Sequence, residues 1–370
     1  MVDVPNEGRR PVFDRTNREL LAGAGLEFCP GYAVRSQASE QPGAELIGPY
    51  LEIWEGYAAD PDIRFKGSSG GVLTALSHYC ITNGNMYGVL HTAQSEKDPL
   101  LNETVLSTTR DELVARTGSR YATSSPCSGL DRVVSAPGPC VFIGKPCDAA
   151  AARELTRSRA EFNEKVGVIL TFFCAGTPST GGVRSLVDSI STEASEPTSL
   201  RFRGNGWPGH FVVGNGGSRE LTYDESWGYL QRYRPFRCQI CADGLGELAD
   251  ISCGDAWHRY GEDDPGRSVI VVRTERGRGI LSAAIQAGFV HATPSSAELL
   301  LSGQGLVSRR KQLHGRLTAL RLTRTPATRY EGFELARAWR YLSLGEKIKS
   351  IVGTVKRIYR RGIHRPLNKD

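Results

Sequence analysis

Chemistry first shows in this chain at Cys238-Gln239-Ile240-Cys241. Two cysteines three apart on a tight turn can aim both sulfurs at one centre, and thiolates are ligands of structural zinc and of iron–sulfur clusters alike. Either centre usually takes four ligands, so two more must come from elsewhere. Cys147, in Gly144-Lys145-Pro146-Cys147-Asp148, and Cys174, in Phe173-Cys174-Ala175-Gly176-Thr177-Pro178-Ser179, each follow an apolar run that reads as a buried strand, Cys140 to Ile143 and Lys165 to Phe173. Ligands of open α/β sheets gather beyond the carboxyl ends of the strands, so both sulfurs are expected at one sheet edge. With Cys238 and Cys241 they make a set of four, which spacing alone leaves open between zinc and iron.

Nine cysteines is an odd count, and the N-terminus, Met1-Val2-Asp3-Val4-Pro5-Asn6-Glu7, lacks the features of a secretory signal. That favours metal or redox thiolates over a disulfide framework and makes the cytoplasm the expected compartment. Cys80, Cys127 and Cys140 read as small buried hydrophobes. No apolar run approaches the ~20 residues needed to cross a bilayer. The seven histidines show no ligand spacing, and no Ser/His/Asp or paired-carboxylate constellation is present, so no catalytic acid or base is assigned.

A second kind of site is suggested by Lys66-Gly67-Ser68-Ser69-Gly70-Gly71, ahead of a helical stripe of Val72, Leu76, Tyr79 and Cys80 that stops at Asn83-Gly84. A helix opening on a Ser/Gly loop offers unpaired N–H groups and a positive dipole end to an anion; the plainer reading is an ordinary serine cap. Another small-residue loop, Gly118-Ser119-Arg120-Tyr121-Ala122-Thr123-Ser124, follows a helix near Arg110 to Thr117.

The elements that must position these groups alternate between strands and helices. Strands are expected at Met86 to Ala93, Cys140 to Ile143, Lys165 to Phe173, Ser268 to Arg273 and Phe289 to Ala292. Helices are expected at Ala149 to Thr156 (capped by Asp148), Val183 to Ser191 and Gly279 to Ala287. Residues 195–236 read as β-like and loop-rich, with the turn Gly204-Asn205-Gly206-Trp207-Pro208-Gly209 flanked by a cation and an aromatic ring. The expected fold is α/β with a mixed sheet flanked by helices, a β-rich insertion and a helical, basic C-terminal appendage. Three segments follow: an arm at 1–48 with a short helix near Glu19 to Ala24, a main domain at 49–300, and a tail at 301–370 packing through Trp339, Tyr341, Leu342, Ile348 and Ile351.

Charge is held unevenly. Residues 301–370 carry 17 Lys and Arg against 4 Asp and Glu, so the chain's net +6 conceals an acidic main body. The tail reads as a solvated helical face, with acidic protein or a membrane surface as its other possible counterparts; no nucleic acid is expected.

Lys66-Gly67-Ser68-Ser69-Gly70-Gly71, Gly118-Ser119-Arg120-Tyr121, Gly144-Lys145-Pro146-Cys147, the Cys174 segment and the cysteine stretch 238–255, in that order, resemble the coenzyme F420 hydrogenase/dehydrogenase beta-subunit family. The likeness runs from about Cys29 to Ala292, and the Gly144 and Gly204 motifs suggest its bacterial branch. The resemblance implies an iron–sulfur flavoprotein that passes hydride or electrons between FAD and coenzyme F420, or a ferredoxin-type carrier. It places a [4Fe–4S] cluster on Cys147, Cys174, Cys238 and Cys241, and FAD over Ser68, Ser69, Gly70 and Gly71, near Gly118, Ser119, Arg120 and Tyr121. Lys66, Arg120 and Lys145 then become cations for the pyrophosphate or the reduced ring, Cys253 a spare thiol, and a redox protein or small electron carrier the partner. Many relatives carry an N-terminal ferredoxin-like module with several closely spaced cysteines, of which only Cys29 remains here. A structural zinc protein, or a non-catalytic adaptor working through the basic tail, is the alternative.

Overall fold

The computed structural model describes residues 2–5, 7–10, 28–191, 196–215, 219–260 and 264–364. Eight strands build the main sheet: β1 (Glu52–Ala58), β2 (Gly88–Gln94), β3 (Asn102–Ser107), β4 (Cys140–Gly144), β5 (Val166–Phe172), β6 (Ile251–Asp255), β7 (Ser268–Val272) and β8 (Val290–Pro294), in the order β8-β1-β7-β6-β5-β4-β2-β3. The four central strands β6, β5, β4 and β2 are parallel, and antiparallel pairs flank them on both sides. Strands buried on both faces need apolar side chains in near-continuous runs, which β5 and β7 supply.

On one face Val89, Val141, Val168 and Ile270 pack against helices α1 (Val72–Thr82) and α6 (Glu275–Gln286), which are numbered here in chain order with α2 (Arg110–Ala115), α3 (Pro146–Ser158), α4 (Thr180–Asp188), α5 (Tyr223–Leu230), α7 (Gly305–Leu322) and α8 (Leu344–Arg360). On the other, Leu90, Phe142 and Ile169 pack against α3. Full burial of such side chains is worth about 1.5–3 kcal/mol each, so the sheet centre is the rigid platform from which its edge loops project.

Two local corrections bear on the site. Helix α3 starts at Pro146, with Lys145 in the cap position, and Asp148 is the third helical residue; its Oδ2 accepts the Lys145 N–H at 2.9 Å. Proline suits the first helical position because its missing N–H would be unpaired there anyway, so the helix begins earlier than the alanine run suggests. Residues 195–236 do contain a small three-stranded sheet, but also α5, whose Thr222–Glu225 capping box starts it.

The C-terminal segment is helical, and α7 lies across the main body. Its packing positions differ from those expected. Trp339 and Ile351 are half-buried and Leu342 is buried, while Tyr341 and Ile348 are exposed. Ser350, Thr354 and Ile358 form the buried row of α8 instead, because a glycine at 315 lets α8 approach α7 closely enough for Ser350 Oγ to reach the Gln312 carbonyl at 2.9 Å. The helix expected near Glu19 to Ala24 lies outside the described residues.

Candidate functional site

The carboxyl ends of β2, β4, β5 and β6 open into a cavity of about 510 Å³, within the size range of cofactor pockets. Its floor includes Gly144, Phe173 and Cys253. One side is formed by the two Ser/Gly loops. Ser68 Oγ accepts the Ser119 N–H at 2.5 Å, tying together two segments that are 51 residues apart in sequence. Helix α1 opens into the cavity through Gly71, Leu73 and Thr74, and no side chain caps it. Its first N–H groups therefore have no acceptor within the helix. Gly71 has φ 72°, and a Cβ there would lie 2.7 Å from the Ile63 carbonyl, so only glycine permits this entry into the helix.

The opposite side is aromatic and cationic. Arg203 makes a paired contact with Asp255 (Nη2–Oδ1 2.6 Å, Nη1–Oδ2 3.0 Å), and Trp207 Nε1 donates to the same carboxylate at 2.9 Å. The guanidinium also sits 4.7 Å from the Tyr223 ring centroid. Burial by itself lowers its pKa; Asp255 and the phenol of Tyr121 outweigh burial and push the pKa up. Lys145 is pulled the same way against its burial, by Asp148 at 2.6 Å, and also donates to Ser124 Oγ at 2.7 Å. Arg116, Arg234 and Arg309 also line the cavity; Arg116 donates to Ser107 Oγ at 2.9 Å and feels the charge of Glu112, and Arg234 and Arg309 both donate to the Ala175 carbonyl. Asp255 is the one acid among the lining residues, so the cavity favours an anionic occupant.

Of the residues the sequence proposes for cofactor binding, Ser68, Ser69, Gly71, Gly118, Ser119, Arg120, Tyr121 and Lys145 line this cavity; Lys66 and Gly70 do not. Lys66 Nζ pairs instead with Asp62 one helical turn away, 3.1 Å, on a half-exposed surface. Gly70 is packed on the sheet: a Cβ would stand 2.6 Å from the Gly56 carbonyl, so this glycine serves loop-to-strand approach. Arg120 reaches the wall, but its guanidinium is spent on Asn102, Gln94 and the carbonyls of Leu200, Pro99 and Leu101. It staples the β2–β3 region to the small sheet. Sequence reasoning missed Arg116, Arg203, Arg234, Arg309 and Tyr223. The cation beside the Gly204 turn was the one signal available for Arg203.

His91 lies at the cavity end, buried, with Nε2 2.8 Å from Ser107 Oγ; burial and then Arg116 lower its pKa to about 4. The ring stays neutral in the folded chain while the unfolded chain takes up a proton near the ordinary value of 6.5. Stability is therefore full above pH 6.5 and falls by roughly 3 kcal/mol as pH drops towards 4. Urea midpoints measured across this window are expected to show that slope in the parent and a weaker one in His91→Gln.

The four cysteines come from different elements. Cys147 is in the first turn of α3, Cys174 follows β5, Cys238 lies in the short helix Phe236–Gln239, and Cys241 lies just beyond it. Burial raises the thiols of Cys147, Cys174 (to about 12) and Cys241, and their mutual proximity raises them further. Cys147 feels Cys241 and Cys174, Cys174 feels Cys238 and Cys241, and Cys241 feels Cys238. Gly176 brings the loops together, since a Cβ on it would lie 3.1 Å from that of Cys238. Among the described residues no three His, Cys, Asp or Glu side chains are gathered tightly enough to hold a single metal ion. Three half-buried thiols whose ionisation is disfavoured by burial and by neighbouring cysteines, Cys238 among those neighbours, nonetheless suit a polynuclear cationic centre, which would reverse that penalty and take one sulfur per corner.

The cysteine loop is held from the C-terminal segment. Arg309 donates to the Cys238 carbonyl (3.3 Å), Arg316 to Gln239, Tyr330 Oη to Ile240 (2.9 Å) and Arg310 to Ala242 (3.0 Å). Arg309 also holds the Ala175 carbonyl beside Cys174, at 2.8 Å. These arginines do not belong to a solvated helical face: Arg310 is buried and Arg309 and Arg316 are turned inward onto the loop.

Two family models match the chain: coenzyme F420 hydrogenase/dehydrogenase, beta subunit N-term, over residues 53–130, and the corresponding C terminus over 139–298. The chain belongs to this family. It is 25% identical to the coenzyme F420 hydrogenase subunit beta of Methanothermobacter thermautotrophicus over 71% of this chain and 91% of that protein. It is 26% identical to the F420-dependent formate dehydrogenase 1 subunit beta of Methanococcus maripaludis, over 65% and 60%. The fold matches a chain of the F420-reducing [NiFe] hydrogenase complex from Methanosarcina barkeri, with TM-score 0.58 and 22% identity over 76% of this chain and 96% of that one. The family match ends at residue 298, so the helices that clamp the cysteine loop lie beyond it. No helix among the described residues is long and apolar enough to cross a membrane.

Proposed function

We propose that this chain is the flavin- and cluster-bearing subunit of an F420-linked oxidoreductase, exchanging hydride or electrons between FAD and coenzyme F420 or a ferredoxin-type carrier, with a [4Fe–4S] cluster on Cys147, Cys174, Cys238 and Cys241. The observation that carries this reading is a shared wall. Residues 174–177 border the cavity, and Cys174 is also electrostatically coupled to Cys238 and Cys241. FAD carries two electrons as hydride and a cluster takes one, so neighbouring sites for the two would convert between the modes.

The chain's own part is positioning and charge. The Ser68–Ser119 hydrogen bond fixes the two loops, and the open first turn of α1 offers N–H groups to a phosphate. Arg116, Arg234 and Arg309 supply the positive charge that a pyrophosphate or an acidic cofactor tail needs. Tyr223 and Trp257, stacked with centroids 5.0 Å apart, give a flat apolar boundary that keeps water from a bound ring. Residues 49–300 would be the flavin and iron–sulfur domain, working with a redox partner protein or a small carrier. The subunit names of the relatives support a protein partner.

Anaerobic reconstitution tests this. The expected product holds one flavin and about four irons per chain, and Cys174→Ser is expected to lose most of the iron while remaining folded. A colourless, iron-free protein, or one holding zinc and no flavin, would overturn the reading.

A further inference from the structure

We propose that the exposed face of α8 seats the protein on an anionic membrane surface. Leu344, Ile348, Val352 and Tyr359 are 74%, 54%, 59% and 56% exposed. At 100° per residue they fall on one stripe, and Lys349, Lys356 and Arg360, all exposed, fall on the row beside it. The opposite row, Ser350, Thr354 and Ile358, is buried against the body of the protein. The stripe is therefore surplus to folding, and the His364 ring, 4.7 Å from that of Tyr359, leaves most of it open.

Charge selects the occupant. The helix holds five lysines and arginines against one glutamate. A second copy packed on the stripe would bring two such basic rows side by side, which disfavours self-association. With that many cations the helix cannot span a bilayer, and it has the pattern of one that lies in the interface plane, apolar stripe in the acyl boundary and lysines at the headgroups. Anionic headgroups meet the basic row, and the phenol of Tyr359 suits the boundary itself. Arg361, just past the helix, donates to the carbonyl of Arg234, a cavity-lining residue, so docking would hold the cavity at a fixed orientation to the surface. The inference rests on the exposed face of α8 and is independent of which cofactors the cavity takes.

Co-sedimentation of the full chain with sucrose-loaded vesicles tests it. Binding is expected to phosphatidylcholine vesicles containing phosphatidylglycerol, and to be at least about tenfold weaker to phosphatidylcholine alone. Ile348→Glu with Val352→Glu is expected to weaken binding by a further tenfold or so, and Lys349→Gln with Lys356→Gln to remove the preference for anionic lipid. None of these four side chains is in the buried row, so thermal unfolding should be unchanged. Equal binding to both vesicles, or none to either, overturns the proposal. So does a dimer, seen by sedimentation equilibrium, that Ile348→Glu with Val352→Glu dissolves, because it would make a second copy the occupant.

Discussion

Arg310→Met is expected to destabilise the folded chain by about 3–5 kcal/mol, the usual cost of leaving one charge of a buried pair uncompensated. Arg310 and Glu247 pair with side chains 4% and 2% exposed. The same guanidinium donates to the carbonyls of Glu45 (3.1 Å), Ala242 (3.0 Å) and Phe333 (2.7 Å), joining the arm, the cysteine loop and the C-terminal segment at one point. Methionine keeps much of the stem volume and removes every one of these bonds, while Glu247 retains Ser36 Oγ, at 3.0 Å, as a side-chain donor and the more distant charge of Arg273. Guanidinium unfolding of the apo chain measures the loss without reference to any cofactor. Adding Glu247→Leu should recover part of it, since the stranded carboxylate then goes too. A change under about 1 kcal/mol would mean that water reaches Glu247 and the clamp is not sealed.

Arg203→Met is the second large expected effect, because it strikes stability and ligand binding together. It leaves Asp255 with Trp207 Nε1 as its remaining side-chain donor, in a wall where Arg203 itself is 3% exposed. The cost from the broken pair is again about 3–5 kcal/mol. The cavity also loses the group against which Tyr223 and Trp257 are set, at 4.7 and 5.4 Å from their rings. Flavin retention after reconstitution is expected to fall at least about tenfold, even at temperatures where circular dichroism shows the variant folded. Arg203→Lys should restore little, since an ammonium cannot make the two parallel bonds to one carboxylate. Normal flavin content in a folded Arg203→Met protein would remove this wall from the binding site.

Much of the architecture was legible because it is written locally. The strands at 140–144 and 166–172 emerge within a residue or two of their apolar runs, and α1 lies where the stripe of Val72, Leu76 and Cys80 puts it. Helix α5 was harder to see. Tyr223, Trp227 and Tyr229 have the side chains of a strand, and only the Thr222–Glu225 capping box marked a helix there. Lys66 and Gly70 looked equivalent to Ser68 and Gly71. Which of them faces the cavity depends on how the loop rests against Gly56 and Ser268, residues of strands from elsewhere in the chain.

The sequence by itself determined the family and the α/β alternation, and it proposed the four cysteines as a set, since residue type and short-range period carry all of these. The tertiary structure decided what the basic residues do. Arg120, Arg203, Arg309, Arg310 and Arg316 look alike along the chain, yet one staples two sheets, one forms a cavity wall and three hold the cysteine loop. A guanidinium reaches several ångströms and accepts any carbonyl or carboxylate as partner. Its role is therefore set by which distant segment the fold brings within reach, and no local pattern encodes that.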